Sequence, residues 1–367
     1  MECIAVLGRR EQPTDGVHDY CCCLAEALAL PGISLTLLPV RWAEIGWKAS
    51  RQELWRAINK KQNALFVLQY TALAWSDRGF SLRALGIMKL LKKNGARCAI
   101  VFHDSDGYAG NRAIDYFRRT VQRYTMRRLL RLSDLAIFTI PPEKVLWISA
   151  SEKKVVFIPV GANLPAPEKA WAQERNPAGS KPVVAVFSLS GNPIRTQEVR
   201  LIAEAVGHAA KQIGTLRVVV LGRNSEIGGE ELRTKLTGSP AEVTVLGLIP
   251  AEKVVRVLGS SDVLLFVRGP ISSRRGSAIA GIACGLPVIA QEGCETAPPI
   301  TDAGVVLVPA KATSEFGPAL ARVLMDHSYR AYLAERSRDA QRRYFSWSAI
   351  AKQYARAMRT MESDSQV

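Results

Sequence analysis

CIAVLG at residues 3–8, VHDYCCCLAEALAL at 17–30 and ISLTLL at 33–38 decide the fold. A short apolar run of strand length, an amphipathic stretch of helix length and a second strand-like run make one βαβ unit around a parallel sheet. The same alternation continues through ALFVLQ (64–69), RCAIVFHD (97–104) and DLAIFTI (134–140). These repeats predict a doubly wound α/β domain over residues 1–165.

After VVFIPVGANLP (155–165), residues 166–180 are rich in Pro, Ala, Gly and charge and keep no period. That composition predicts a linker. The alternation then restarts with VVAVFSLS (183–190), a helix from Thr196, TLRVVVLG (215–222), AEVTVLG (241–247), a helix from Ala251 and DVLLFVRG (262–269). It closes with PVIA (287–290) and GVVLV (304–308), so a second Rossmann-like domain spans 181–345. The fold class is α/β, with two doubly wound domains facing a cleft. Residues 346–367 form a C-terminal helix carrying Trp347 and Tyr354, which either completes the second core or crosses back to the first domain.

With 367 residues and 48% hydrophobic content, the chain can bury two cores, and its composition excludes collagen, coiled coil and disorder. No apolar run reaches the roughly 18 residues of a membrane span, and MECIAVLGRREQ turns charged too early for a signal-peptide core. The expected location is cytoplasmic, with the inner face of the membrane as a peripheral site. Cys21, Cys22 and Cys23 fall on a helix where successive side chains diverge, so they read as reduced packing residues. His18, His103, His208 and His327 are too scattered for a histidine metal site. The net charge of +16 attracts anionic partners.

Ligands of open parallel sheets bind at the carboxyl ends of strands. The most informative such turn is FVRGPISSRRGSAIAGIACGLPVIA (266–290), where a strand ends near Val267 and a small-residue helix runs to Cys284. Between them lie Arg268, Gly269, Arg274, Arg275, Gly276 and Ser277. Helix N–H groups and dipole favour an anion there, and arginines grip phosphate oxygens bidentately. This is the expected diphosphate site; an ordinary solvated arginine pair is the alternative. Gly222 with Arg223, and Gly247 with Leu248, mark two further strand ends in the second half. In the first half the strand before His103 and Asp104 ends in a turn, where Asp104 would fix the histidine's tautomer or His103 would cap the next helix. Asp104, Ser105 and Asp106 also spell DxD, read here as turn chemistry with no metal. The loop carrying Thr14, Asp15 and Gly16 follows the first strand and either contacts a ligand or caps the next helix.

ACGLPVIA at 283–290 resembles the donor segment of family-4 glycosyltransferases with the GT-B fold. TDGVHDYCCCLAEALAL (14–30), IPVGANLP (158–165) and YFSWSAIAKQYARAM (344–358) follow the family's order. The resemblance implies transfer of a sugar, with retention and without metal or other cofactor, from a nucleotide-sugar, UDP- or GDP-linked, to an acceptor the sequence does not identify, a saccharide and a lipid-linked molecule both being open. It implies His103 and Asp104 at the reacting centre and Thr14, Asp15 and Gly16 in an acceptor loop. It places the departing diphosphate on Arg195, Arg274, Arg275 and the helix start at Gly276 and Ser277, and the nucleotide base near Leu248 through backbone contacts; Gly222 and Arg223 are the further donor-binding candidates. The family's E-x7-E pattern is missing, since its two positions fall near Ser272 and at Ala280. Arg195 stands in the loop where the family carries lysine. Those departures keep open a catalytically degenerate nucleotide- or glycan-binding protein, and a nucleotide-sugar epimerase uses the same paired domains.

Between Asn111 and Asp134 the arginines at 119, 123, 127 and 131 recur every fourth residue, with Tyr116, Phe117, Leu129 and Leu130 as apolar partners. A solvated outer face is one reading, and peripheral contact with an anionic membrane is the other. No nucleic-acid motif appears, so nucleic acid is not an expected partner. LGRREQ lacks GxGxxG, which disfavours a dinucleotide dehydrogenase.

Overall fold

Strand runs made only of apolar residues need cover on both faces, and parallel sheets provide it. The computed structural model describes all residues except 109, 111, 149–153, 173–179 and 365–367. In chain order the first sheet's elements are β1 (Glu2–Leu7), α1 (Gly16–Ala29), β2 (Ser34–Pro39), α2 (Trp47–Lys60), β3 (Leu65–Tyr70), α3 (Leu82–Lys93), β4 (Arg97–Phe102), α4 (Ala113–Leu132), β5 (Leu135–Phe138) and β6 (Val155–Phe157). The strands lie parallel in the order β2-β1-β3-β4-β5-β6. Every residue of the central strand β3 is buried. Phe102 stacks on Phe138 with ring centroids 4.6 Å apart, and Trp147 packs edge-on against Phe102.

The second sheet repeats the plan. Its elements are β7 (Val183–Phe187), α5 (Ile194–Ile213), β8 (Leu216–Leu221), α6 (Ser225–Lys235), β9 (Ala241–Gly247), α7 (Ala251–Gly259), β10 (Val263–Phe266), α8 (Gly276–Ala283), β11 (Val288–Gln291), β12 (Val305–Val308), α9 (Phe316–Met325) and α10 (His327–Ala340). All strands are parallel, in the order β12-β11-β10-β7-β8-β9. The core sits where Val186, Val220 and Leu265 meet Val199, Phe316 and Leu320 from the helices. α8 stops where the sequence places Gly285: its φ is +72°, and the N–H groups of Gly285 and Leu286 fold back onto the Ile282 and Gly281 carbonyls. That left-handed stop after the helix is what glycine permits without steric cost.

The last helix, α11 (Trp347–Asp364), packs on α1. Its Tyr354 hydroxyl lies 2.8 Å from the Tyr20 hydroxyl, and Met358 meets Cys3. The chain thus divides into a first unit, Met1–Pro159 with Trp347–Val367, and a second unit, Val160–Ser346. No helix among the described residues is long and apolar enough to cross a membrane.

Candidate functional site

Each sheet reverses strand order once, between β1 and β3 in the first unit and between β7 and β10 in the second. Adjacent loops diverge there and leave a crevice beyond the strands' carboxyl ends. In the second unit those loops are 188–193 and 267–275, which carry or adjoin most of the arginines singled out from the sequence.

Loop 188–193 is held from beneath. Buried Glu198 accepts from Ser190 N at 2.7 Å and from Ser190 Oγ at 2.6 Å. Ser188 adopts a φ of +66° and accepts from Arg223 N, while Leu189 N donates to the Arg223 carbonyl at 2.9 Å. Gly222, at φ +89°, lies against the same serine: a Cβ there would come within 2.5 Å of Ser188 Oγ and 2.9 Å of the Phe187 ring. Gly222 and Arg223 are thereby locked to the β7 loop. Leu248 N donates to Glu226 Oε1 at 3.2 Å, so a carboxylate in the first turn of α6 already engages that backbone group.

Arg195 occupies the first turn of α5, and its side chain is largely buried. Its Nε and Nη2 donate to Glu231 Oε1 at 3.2 and 2.8 Å. Arg274 is engaged in the same manner: Nε and Nη2 donate to the two Glu295 oxygens at 2.7 and 3.1 Å, and Ser272 Oγ donates to Oε2 at 3.2 Å. Arg275 occupies the cap position of α8, where no side chain caps the helix. Gly276 is exposed with open space around it, and Ser277 is half-buried beside it. The N–H groups opening α8 carry the positive end of the helix dipole.

The sequence reading did not find Glu231 or Glu295. Glu231 lies mid-helix, where glutamate is an ordinary surface residue. Glu295 follows β11 by four residues, so the rule of searching strand ends could have reached it.

In the first unit, His103 follows β4, and its N–H donates to the Tyr70 carbonyl at 3.0 Å. Its Nε2 is 2.9 Å from Oε1 of Gln69, which is 1% exposed. Tyr20 presents an edge-to-face contact to the imidazole at 5.2 Å, and Trp347 packs on Tyr20. Asp104 Oδ2 accepts from Ala72 N at 2.6 Å, which joins the β4 loop to the β3 loop. Asp106 is taken by Arg123 through two hydrogen bonds of 2.6 and 2.7 Å. Burial alone would raise its carboxyl pKa, but Arg123 and the Gly107 N–H bring it below the usual range. Asp15 caps α1 by accepting from Val17 N and His18 N at 2.9 and 3.0 Å, and it also holds Glu11 N. Gly16 opens the helix beside open space, with Thr14 just before the capping residue. Tyr20 links the two predicted groups here, since it lies one turn along the helix that Asp15 caps and touches His103.

Solved structures share this architecture, among them three that align over nearly the whole chain. Sucrose-phosphate synthase from Thermosynechococcus elongatus aligns with a TM-score of 0.70 at 19% identity, over 99% of this chain and 100% of that one. A glycosyltransferase from Rickettsia africae ESF-5 aligns at 0.70 and 12% identity, over 98% of each chain. Anabaena Alr3699/HepE, in complex with UDP and glucose, aligns at 0.67 and 13% identity, over 98% of this chain and 100% of that one. The protein therefore has the GT-B fold of two Rossmann-like domains. Residues 181–326, the bulk of its second unit, match the family model described as Glycosyl transferases group 1. Among curated proteins none matches the chain.

Proposed function

We propose that the protein transfers a sugar from a nucleotide-sugar donor to an acceptor, with the donor held by the second unit. The observation that carries this reading is the strand-order reversal between β7 and β10, inside the segment that matches group 1 glycosyl transferases. It sets an arginine-bearing loop and the uncapped start of α8 at the edge where nucleotides sit in such sheets. The UDP of the Anabaena structure favours a uridine donor over a guanosine one.

In this reading Arg274, Arg275 and the N–H groups of Gly276 and Ser277 stabilise the departing diphosphate as charge develops on it. Arg195, tied to Glu231, shapes the opposite loop; Gly222, Arg223 and Leu248 lie toward the nucleoside. His103, oriented by Gln69, and Asp104 serve the reacting sugar, while Thr14, Asp15 and Gly16 border the acceptor. Retention of configuration and independence from metal complete the proposal. A second reading, a nucleotide-binding protein without turnover, draws on Glu231 and Glu295, which already neutralise two of the arginines.

Melting of the purified protein with UDP, GDP, ADP and their sugar conjugates tests both. A ligand at tenfold its Kd stabilises by about 1.4 kcal/mol, or roughly 3–6 °C for a domain of this size. The transfer reading expects that rise for one nucleotide, together with acceptor-dependent release of nucleoside diphosphate from its sugar conjugate. A rise without any release would favour the binding protein, and no rise with any nucleotide would remove both.

A further inference from the structure

Helix α4 carries four arginines at fourfold spacing, and its side-chain positions show which of them face outward. Of its four periodic arginines, Arg119 and Arg123 are drawn back onto their own unit. Arg119 donates to the Tyr108 and Gly110 carbonyls at 2.9 and 3.1 Å, and Arg123 pairs with Asp106. Leu129 and Leu130 turn inward to the core, whereas Tyr116 and Phe117 stay out.

The outward face consequently keeps Arg127 and Arg131 but is shifted from the stripe the arginine spacing suggests. At 100° per residue, Tyr116, Phe117, Thr120, Tyr124, Arg127 and Arg131 fall within about 100° of arc, and all are exposed. Phe117 is 59% exposed, Tyr116 55% and Tyr124 53%, values unusual for three aromatic rings on one helix face. Arg118 spans the rings of Phe80 and Tyr108 beside it, and Arg119 lies over Tyr116. The helix's one carboxylate, Asp115, is buried and paired with Arg112 and Arg118, and Asp134, just beyond the end, pairs with Lys92. The stripe therefore offers rings at one end, cations at the other and no carboxylate.

We propose that this face of α4 docks peripherally on a bilayer containing anionic phospholipid. The Tyr116 and Tyr124 rings settle at headgroup depth, where an apolar body and a polar hydroxyl are both satisfied, and the Phe117 ring adds apolar contact. Arg127 and Arg131 then meet lipid phosphates. No helix among the described residues is long and apolar enough to cross a membrane, and the contact proposed here is made by one helix face lying on the surface. Membrane docking goes beyond the sugar-transfer reading and does not depend on it, because every residue involved belongs to one face of the first unit.

Co-sedimentation of the full chain with vesicles of phosphatidylcholine alone, and of phosphatidylcholine with phosphatidylglycerol, tests the proposal. We expect partition onto the anionic vesicles to exceed that onto neutral ones by about tenfold or more, and to fall as salt is raised. Arg127→Glu/Arg131→Glu should abolish that preference. Phe117→Ser/Tyr124→Ser should weaken binding at high salt, where charge contributes least. Both variants change exposed positions, so both should keep the parent melting temperature, and circular dichroism checks that they do. Equal binding to the two vesicle types, no binding, or both variants binding as the parent does would overturn the proposal.

Discussion

Between pH 8.5 and 10.5 the protein is expected to lose at least about 4 kcal/mol of stability, with the first unit unfolding before the second. Burial holds the Cys21 thiol well above its ordinary pKa, and the neighbouring Cys22 and Asp15 add to the effect. Burial likewise pushes Cys98 up to about 12, with Lys92 opposing and Asp134 reinforcing. Tyr20, Tyr70 and Tyr354 are raised for the same leading reason, and the first and last share one hydrogen bond. All five groups belong to the first unit.

The sign follows from proton counting. These acids keep their protons in the folded chain after the unfolded chain has released its own, near pH 8.5 for thiols and 10 for phenols. Stability is thus intact below about pH 8 and declines as pH rises, by about 1.4 kcal/mol per unit for each buried thiol. Integrated over both thiols, the decline is about 4 kcal/mol, and the tyrosines add to it above pH 10. Urea unfolding monitored by tryptophan fluorescence across this range measures it. Cys21→Ala/Cys98→Ala should be less stable at neutral pH yet lose clearly less than the parent as pH rises to 10, the remaining slope coming from Cys23 and Cys22, whose thiols burial also raises; an undiminished slope in that variant would assign the effect to other groups.

The elements of the fold were legible because strand and helix periods are local properties. CIAVLG reads as a strand on its own residues, and β1 spans Glu2–Leu7. Gly285 stops α8 by its backbone chemistry alone, just after Cys284, where the sequence ends the helix, and Asp15 caps α1 as an aspartate before an amphipathic run should. The loops around the candidate site were legible to the same degree, since they are the strand ends themselves.

What occupies those loops was not legible. Arg195 and Glu231 are separated by 36 positions, Arg274 and Glu295 by 21, and Tyr20 and Tyr354 by 334. No local pattern relates such residues; only the folded sheets bring them together. The arginine spacing of α4 gave the helix and only part of its outer face, since Arg127 and Arg131 stay on it while Arg119 and Arg123 turn back. A long guanidinium can bend back to a carbonyl or carboxylate of the preceding loop, and helical phase alone does not register this. A charged residue's position on a helix is therefore a weaker guide to the surface than the position of an aromatic ring, whose reach is short.

Replacing Arg274 by alanine should both weaken the protein and uncouple it from nucleotide. The Arg274 and Glu295 side chains are 23% and 17% exposed, between the surface pairs that contribute little and the buried ones whose breakage costs several kcal/mol. Arg274→Ala takes from Glu295 a full positive charge and two hydrogen bonds, and keeps the one from Ser272. A loss of about 2 kcal/mol follows, or roughly 4–8 °C in Tm. If the diphosphate rests on this loop, nucleotide affinity should fall by about tenfold or more as well, the usual scale for losing a charge-assisted contact. Glu295→Gln separates the two effects, because it keeps the carboxylate's shape and removes its charge. A negative group beside a bound diphosphate opposes it, so this variant should tighten nucleotide by about threefold to tenfold while lowering Tm by less than Arg274→Ala does. The double variant then decides the connection. If Glu295→Gln improves binding only while Arg274 is present, the guanidinium is the group the two anions share, and the glutamate moderates its strength. If nucleotide affinity is the same in all three variants while Tm still falls, the pair is a strut between the loops after β10 and β11, and the diphosphate must be sought elsewhere.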